Sequence, residues 1–154
     1  FADIQPADVV YDLYCGVGTL SLYLSKLASK VVGIELVDEA IENARINASK
    51  NGVEHAFFVK GDMKDTFNET LIQQYGHPNV LITDPPRAGM HPDVITQLLD
   101  LKAPKIIYVS CDSSTLARDL ALLSEAYSID AIQPVDMFPQ TYHIETVAAL
   151  TLKL

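Results

Sequence analysis

Short apolar runs alternate along the chain with longer segments in which apolar residues recur every three or four positions. The short runs are typical of strands buried on both faces, and the longer segments are typical of amphipathic helices. Because the segments follow one another in the order strand, helix, strand, the pattern predicts an α/β fold with a mostly parallel sheet. The predicted strands are Val9–Tyr14, Lys30–Glu35, Ala56–Lys60, Asn79–Thr83 and Lys105–Ser110. The predicted helices are Thr19–Ala28, Asp38–Asn51, Thr66–Tyr75, Pro92–Leu99 and Ser114–Ala126.

The segment after Glu35 has the clearest helical pattern. Its apolar stripe consists of Ala40, Ile41, Ala44 and Ala48. We expect Asp38 to cap the first turn and Asn51-Gly52 to end the helix.

The pattern changes after Ala126. The segments 129–134 and 146–152 are both typical of strands, and no helix of ordinary length fits between them. Two consecutive strands without a helical crossover pair antiparallel. We therefore expect this pair to lie at one edge of the sheet.

Length and composition are consistent with one domain. The chain has 154 residues, of which 49% are hydrophobic, and a chain of this size buries roughly two-thirds of its unfolded surface. No apolar run approaches the ~20 residues that cross a bilayer, and no secretory leader opens the chain. The cysteines, Cys15 and Cys111, form no CxxC pair, so neither a disulfide framework nor a zinc site is indicated. We expect a protein of the reducing cytoplasm that binds no metal and no membrane.

The charge is strongly acidic. Asp and Glu number 20 against 11 Lys and Arg, which gives a formal net charge of -9. Surfaces that bind nucleic acid use Lys and Arg to neutralise phosphates, so this balance opposes RNA binding by the chain alone.

A glycine loop follows the first predicted strand. Gly16 and Gly18 lie where the backbone must approach a ligand at the start of a helix, although Ser21 replaces the third glycine of the dinucleotide fingerprint. A tight turn without a ligand is the alternative.

Glu35 closes the second strand and could accept hydrogen bonds from ribose hydroxyls, which fits NAD and S-adenosylmethionine equally. Asp62, after the third strand, either faces an adenine amino group or belongs to an ordinary Gly-Asp turn.

Two further loops follow the fourth and fifth strands. Asp84-Pro85-Pro86-Arg87 is a stiff turn at the carboxyl end of a strand, where open α/β sheets bind ligands. Cys111 lies near a helix N-terminus, which favours the thiolate, and a buried, inert cysteine is the alternative. We therefore interpret Cys111 as a nucleophile and Cys15 as a packing residue.

The connection between the last two strands is rich in polar and aromatic residues. From spacing alone, Glu145 is either a solvated carboxylate or a base, and His143 is a weaker candidate.

These residues fit one reaction. Carbon 5 of uracil is a poor nucleophile, so its methylation requires a thiolate to add to carbon 6 and a base to remove the proton at carbon 5. The uracil ring must also be unstacked from its neighbours in the RNA. We expect it to enter a pocket walled by Pro85-Pro86 and Phe138-Pro139, with Arg87 near a phosphate.

The motifs resemble those of the RNA uracil-5-methyltransferases, which modify transfer RNA or large-subunit ribosomal RNA. The resemblance runs through nearly the whole chain. It rests on Asp12 to Thr19, Asp84 to Gly89, Ser110-Cys111-Asp112, Thr115, Ala117 to Leu120, Asp136 to Pro139, His143 and Glu145.

The resemblance implies a Rossmann-like class I methyltransferase with a mostly parallel, twisted seven-stranded sheet, helices on both faces and an antiparallel edge strand. It implies Cys111 as nucleophile, Glu145 as base, and contacts to S-adenosylmethionine from Tyr14, Glu35, Asp62 and Asp84. Asp112-Ser113 replaces the usual Asn-Pro. Relatives carry an upstream RNA-binding region, so we expect residues 1–154 to be the catalytic domain from the C-terminal part of a longer protein.

Three alternatives remain. An RNA cytosine-5 methyltransferase also needs a thiolate, but a second cysteine after the fourth strand is missing. A nicotinamide-dependent oxidoreductase would use the same glycine loop and Glu35. A non-catalytic module would bind the cofactor without forming an RNA adduct.

Overall fold

The computed structural model describes residues 1–154, and its seven strands form one sheet. The strands are β1 (Val9–Leu13), β2 (Lys30–Glu35), β3 (Ala56–Lys60), β4 (Val80–Thr83), β5 (Lys105–Ser110), β6 (Tyr127–Val135) and β7 (Glu145–Leu152). The helices are α1 (Thr19–Leu24), α2 (Asp38–Lys50), α3 (Met63–Thr66), α4 (Glu69–Tyr75), α5 (Pro92–Leu101) and α6 (Ser113–Leu123). The sheet order is β3-β2-β1-β4-β5-β7-β6, and β1 to β5 are mutually parallel. The predicted mostly parallel α/β fold is confirmed.

Helices cover both faces of the sheet because alternate strand residues point to opposite sides. Tyr11 of β1 belongs to a core cluster that includes residues of α4, α5 and α6. Its neighbour Val10 packs with Leu24 of α1 on the other face. On that same side, Ile41 of α2 packs with Phe58 of β3. None of the helices combines the length and apolar character that a membrane-crossing segment requires.

The strand order reverses at β1. Since β2 lies on one side of β1 and β4 on the other, the chain first builds the sheet outward to β3 and then returns to add β4 and β5. Open α/β sheets bind ligands in the crevice that this reversal leaves at the carboxyl ends of the strands. The loops that follow β1, β2, β4 and β5 therefore meet at one edge.

The antiparallel pair at the end of the chain is confirmed. Strand β7 pairs antiparallel with both β5 and β6, so it alone runs against the other strands. It lies inside the edge because Ala148, Ala149 and Leu150 are buried, whereas nearly every residue of β6 after Tyr127 is exposed. The more apolar strand takes the covered position, and β6 forms the edge.

Some predicted helix boundaries are wrong. The helix expected at Thr66–Tyr75 begins three residues later, as α4, because the Asn68 side chain accepts the N–H of Leu71 at 3.2 Å and caps its start, and the short helix α3 precedes it. Val37, not Asp38, occupies the N-cap position of α2, and no side chain caps it. Asp38 lies in the first turn instead, where it pairs with Lys60 at 2.6 Å.

Candidate active site

Two cavities open at the carboxyl edge of the sheet, each with a volume of about 490 Å³. We call them the Glu35 cavity and the Cys111 cavity. The Glu35 cavity is lined by Tyr14, Glu35, Leu36, Val37, Gly61, Asp62, Met63, Asp84, Pro86, Gly89, His91 and Val94. The Cys111 cavity is lined by Arg87, Cys111, Asp112, Ser113, Pro134, Tyr142, His143, Ile144 and Thr146.

Backbone N–H groups hold the carboxylate of Glu35 in place. Oε1 accepts the N–H groups of Leu36 at 2.8 Å and Val37 at 3.0 Å. Oε2 accepts the N–H of Gly16 at 3.0 Å, which ties the end of β2 to the glycine loop. A carboxylate offers about four acceptor positions, so one remains for a ligand in the cavity.

The glycine loop has conformations that favour glycine. Gly16 has φ 53° and Gly18 has φ 79°. A Cβ on Gly18 would lie 2.9 Å from the Phe58 ring and 3.1 Å from Ala44, whereas a Cβ on Gly16 would meet nothing within 4 Å. Gly18 therefore has a packing role, and contact of either glycine with a cofactor stays a prediction, since neither lines the Glu35 cavity. Cys15 is a buried packing residue, as expected.

Tyr14, Asp62 and Asp84 join Glu35 around the first cavity. Burial, together with the charges of Asp62 and Asp119, raises the pKa of Tyr14 to about 12. The Asp62 carboxylate caps α3 by accepting the N–H of Lys64 at 3.3 Å, so it belongs to a local turn and also faces the cavity. The pKa of Asp84 is raised by burial first and by the charge of Glu145 second.

Cys111 is half-buried between β5 and α6. Cys111 lies two residues before the first residue of α6, as predicted, and Asp112 occupies the N-cap position between them. Asp112 Oδ1 accepts the N–H groups of Ser114 at 3.0 Å and Thr115 at 2.9 Å. These bonds, the one from Thr115 above all, lower the pKa of Asp112.

Glu145 is the first residue of β7 and lies between Ile144 and Thr146, which line the Cys111 cavity, although Glu145 itself lines neither cavity. Ser110, the last residue of β5, pairs with Thr146 of β7, so Cys111 and Glu145 each lie one residue past this pair. After burial, the charge of Glu145 is the second cause of the raised pKa of Asp84, so the two carboxylates lie within electrostatic reach of each other. The fold thus brings together residues that are far apart in the sequence.

The loop 84–89 separates the two cavities. Pro86 faces the Glu35 cavity, whereas the next residue, Arg87, faces the Cys111 cavity. The expectation of one pocket walled by the Pro85-Pro86 and Phe138-Pro139 turns is wrong. Tyr142 to Ile144 line the Cys111 cavity instead, because the connection between β6 and β7 leaves Phe138 half-exposed outside it.

Asp119, for which no role was predicted, is buried beside the loop 84–89. A signal for it exists in the chain. Asp119 lies at helical spacing among Leu116, Leu120 and Leu123, so a charged residue interrupts the apolar stripe of α6. A charge in such a position requires partners in the folded protein.

Known proteins similar to this chain identify its family. The profile of the tRNA (uracil-5-)-methyltransferase family matches residues 3–153. An uncharacterized RNA methyltransferase of Bacteroides thetaiotaomicron is 50% identical over 153 residues, which are 99% of this chain and 34% of that protein. One from Porphyromonas gingivalis is 49% identical, over 97% of this chain and 33% of that protein. The chain thus spans about a third of the length of these relatives.

Solved structures show the same fold. The tRNA (uracil-54, C5)-methyltransferase of Pyrococcus abyssi, in complex with S-adenosyl-L-homocysteine, has a TM-score of 0.82 and 37% identity, over 96% of this chain and 35% of that one. An rRNA methylase of Streptococcus thermophilus has a TM-score of 0.76 at 15% identity, over 98% of this chain and 90% of that one, which supports the class I methyltransferase fold alone. The match over residues 3–153 decides the family: this chain belongs to the tRNA (uracil-5-)-methyltransferases.

Proposed function

We propose that the protein transfers a methyl group from S-adenosylmethionine to carbon 5 of a uridine in transfer RNA or ribosomal RNA, and that residues 1–154 are its catalytic domain. Cys111 is the nucleophile and Glu145 the base. The observation that carries this proposal is that Cys111 and Glu145 each lie one residue past the paired residues Ser110 and Thr146, at the edge of the sheet that also holds the acidic Glu35 cavity. The Pyrococcus abyssi relative, named for this reaction and bound to S-adenosyl-L-homocysteine, supports it.

The chemistry of the Glu35 cavity favours S-adenosylmethionine over a nicotinamide cofactor. Glu35, Asp62 and Asp84 line it, and neither Lys nor Arg does. S-adenosylmethionine carries a cationic sulfonium and an ammonium group, and its ribose and adenine offer hydrogen-bond donors to carboxylates. The pyrophosphate of NAD is anionic and would be repelled by the same three side chains. When bound, S-adenosylmethionine supplies the methyl group.

Cys111 activates the uracil ring in this proposal. Its thiolate adds to carbon 6, and the electrons of the carbon 5–carbon 6 double bond move to the oxygen on carbon 4 as an enolate. Carbon 5 then forms a bond with the methyl carbon, while the bond from sulfur to that methyl breaks and S-adenosylhomocysteine leaves. The loop 84–89 lines both cavities, so we expect it to orient the uracil ring relative to the methyl group.

Glu145 completes the reaction as the base. Its carboxylate takes the proton from carbon 5, the electrons restore the ring double bond, and the bond from Cys111 to carbon 6 breaks to return the thiolate. The proton then passes to solvent. Burial first, and the charge of Glu145 second, raise the pKa of the nearby Asp84 carboxyl.

The rim of the Cys111 cavity suits an unstacked nucleotide. Tyr142 is 89% exposed, and its ring centroid lies 4.2 Å from that of His143. Arg87 Nη2 lies 3.4 Å from His143 Nε2, so one cation and two flat rings adjoin the cavity. Aromatic rings stack with bases, and guanidinium groups bind phosphate.

A covalent trap tests the proposal. The full-length protein is incubated with S-adenosylmethionine and an RNA that contains 5-fluorouridine, whose fluorine prevents the removal of a proton from carbon 5. We expect mass spectrometry to show a stable protein–RNA complex attached at Cys111. The Cys111→Ala variant is expected to form none.

Cys15→Ala is the matched control, because Cys15 is the other cysteine of residues 1–154 and lies buried in a core cluster. It should retain the complex. A complex that persists in Cys111→Ala would refute the assignment of Cys111 as the nucleophile. Calorimetry separates the cofactor alternatives, since binding of NAD in place of S-adenosylhomocysteine would refute methyl transfer.

A further inference from the structure

A buried group of polar side chains fastens the loop between the two cavities to helix α6. Asp119 is 1% exposed. Its Oδ2 accepts the N–H of Met90 at 2.9 Å and the O–H of Tyr108 at 2.7 Å. Its Oδ1 accepts the Nε–H of Arg118 at 2.8 Å. Both carboxylate oxygens are therefore occupied.

Arg118 and Thr115 extend the attachment along the loop. Arg118 Nη2 donates to the carbonyl oxygens of Ala88 at 2.9 Å and Met90 at 3.4 Å. Thr115 Oγ1 donates to the carbonyl oxygen of Arg87 at 3.1 Å. We call Thr115, Arg118 and Asp119 the α6 clamp, since they contact backbone groups of residues 87, 88 and 90.

Gly89 is the one residue of the segment 87–90 without a hydrogen bond to the clamp. Its backbone nevertheless packs closely against Arg118 and Asp119. Its φ is 77°, and an added Cβ would lie 2.7 Å from Asp119 Oδ2 and in conflict with Arg118 Nη2. The loop backbone therefore approaches the clamp so closely that a side chain there would displace it.

The clamp joins the elements that shape the two cavities. Helix α6 starts two residues after Cys111, and the held loop carries Asp84 and Pro86 on one side and Arg87 on the other. A buried ion pair is weak evidence for stability, because well-packed apolar residues often serve as well. Here the polar side chains form hydrogen bonds to the backbone of the loop that separates the two cavities.

The geometry points to Arg118 and Asp119 as positioning residues, which hold the Glu35 cavity at a fixed distance and angle from Cys111 while the methyl group is transferred. This inference rests on the proposed function. Neither side chain lines a cavity, so neither touches the reactants. Their contribution is to the alignment of two binding sites, and a displacement of about 1 Å can cost about a hundredfold in rate.

Arg118→Lys in the full-length protein tests the inference. Lysine retains a positive charge beside Asp119 but lacks the planar fork that reaches two carbonyl groups. Arg45→Lys is the matched control. Arg45 is 51% exposed in its side chain against 50% for Arg118, pairs with Glu42 at 2.8 Å and donates to the Phe58 carbonyl at 3.1 Å, outside both cavities.

We expect Arg118→Lys to lower kcat for methyl transfer on the order of tenfold. The Kd for S-adenosylhomocysteine should stay within about twofold, because Glu35 and Tyr14 lie on other loops. The Tm should match that of Arg45→Lys, and the Met90 amide should exchange with solvent faster. Thr115→Val, which removes the hydrogen bond to the Arg87 carbonyl and changes no residue that lines the Glu35 cavity, should likewise lower kcat and leave this Kd unchanged.

Two results would overturn the inference. If the kcat of Arg118→Lys equals that of Arg45→Lys while the parent protein is active, the clamp does not position the site. If kcat and cofactor affinity fall together in proportion to Tm, the clamp is structural only. A parent protein that binds S-adenosylhomocysteine yet never methylates carbon 5 of uridine would refute the proposed function, and the catalytic purpose of the clamp with it.

Discussion

Individual carboxylates determine much of the chemistry at the scale of the residue. Asp12 is a clear example, because it is buried under α1 and accepts the O–H of Ser21 at 2.5 Å. Burial is the main cause that raises its pKa to about 7, and the charge of Asp84 adds to the effect. A proton on Asp12 therefore stabilises the folded state.

The pH dependence of stability follows from this shift. Between the usual value of 3.8 and about 7, folded Asp12 holds a proton that the unfolded chain has lost. The free energy of unfolding should therefore fall as the pH rises through this window, and flatten above it. Asp12→Asn should lose this slope in urea titrations between about pH 5.5 and 8, whereas the exposed Asp100→Asn should retain it. Equal slopes in the two variants would contradict the assignment.

Glu145 gives the sharpest residue-scale prediction for catalysis. In Glu145→Gln the thiolate addition and methyl transfer can proceed, but no carboxylate remains to remove the proton from carbon 5. Turnover should fall by about a hundredfold or more, and a covalent complex with ordinary uridine RNA should accumulate. Denaturing gel electrophoresis measures the complex, and exposed Glu125→Gln is the control. Loss of turnover without the complex would assign Glu145 to an earlier step.

At the scale of the element, apolar patterning was a good guide to strands and a poorer one to helix ends. Lys30–Glu35 and Lys105–Ser110 have the predicted bounds because their runs are buried on both faces. The division between α3 and α4 depends on one side-chain bond from Asn68, which periodicity does not report. The order of β6 and β7 depends on which strand is covered, and that is a property of the whole sheet.

Gly18 shows how an element boundary is fixed by packing. It precedes α1 with φ 79°, and its missing side chain leaves room for Phe58. Gly18→Ala should cost about 1–2 kcal/mol for the left-handed backbone and about 1–3 kcal/mol more for overpacking. Gly52→Ala is the matched control, since Gly52 has φ 65° and open space around it. Chemical denaturation measures the difference, and equal losses would mean that Phe58 moves aside freely.

At the scale of the whole molecule, the sequence predicted which strand ends meet but not how the residues there are arranged. Positions at strand ends predicted that Glu35, Asp84 and Cys111 would meet at one edge, since parallel strands end together. The separation into two cavities, and the clamp behind the loop 84–89, arise from contacts between α6 and residues about 30 positions away. Contacts over such distances follow from packing, which no local pattern encodes.

The net charge of -9 sets the last expectation for the molecule as a whole. Arg87 is the sole Lys or Arg that lines the Cys111 cavity, so phosphate contacts at the site are few. We expect residues 1–154 to bind a single-stranded uridine RNA weakly. The logarithm of the binding constant should fall with the logarithm of salt concentration with a slope of about 0.7 to 1.4, the value for one or two phosphates.

Arg87→Leu should reduce that slope by about 0.7, because one phosphate contact is lost. Lys50→Leu, at the exposed end of α2, should leave the slope unchanged, since α2 lies away from the Cys111 cavity. Fluorescence anisotropy at several salt concentrations measures both. A slope of several units that is insensitive to Arg87 would mean that RNA follows another cationic surface. Phosphates are repelled by clustered carboxylates, so the RNA backbone would then run at a distance from the acidic Glu35 cavity. Such a path would conflict with a uridine bound between Cys111 and Arg87.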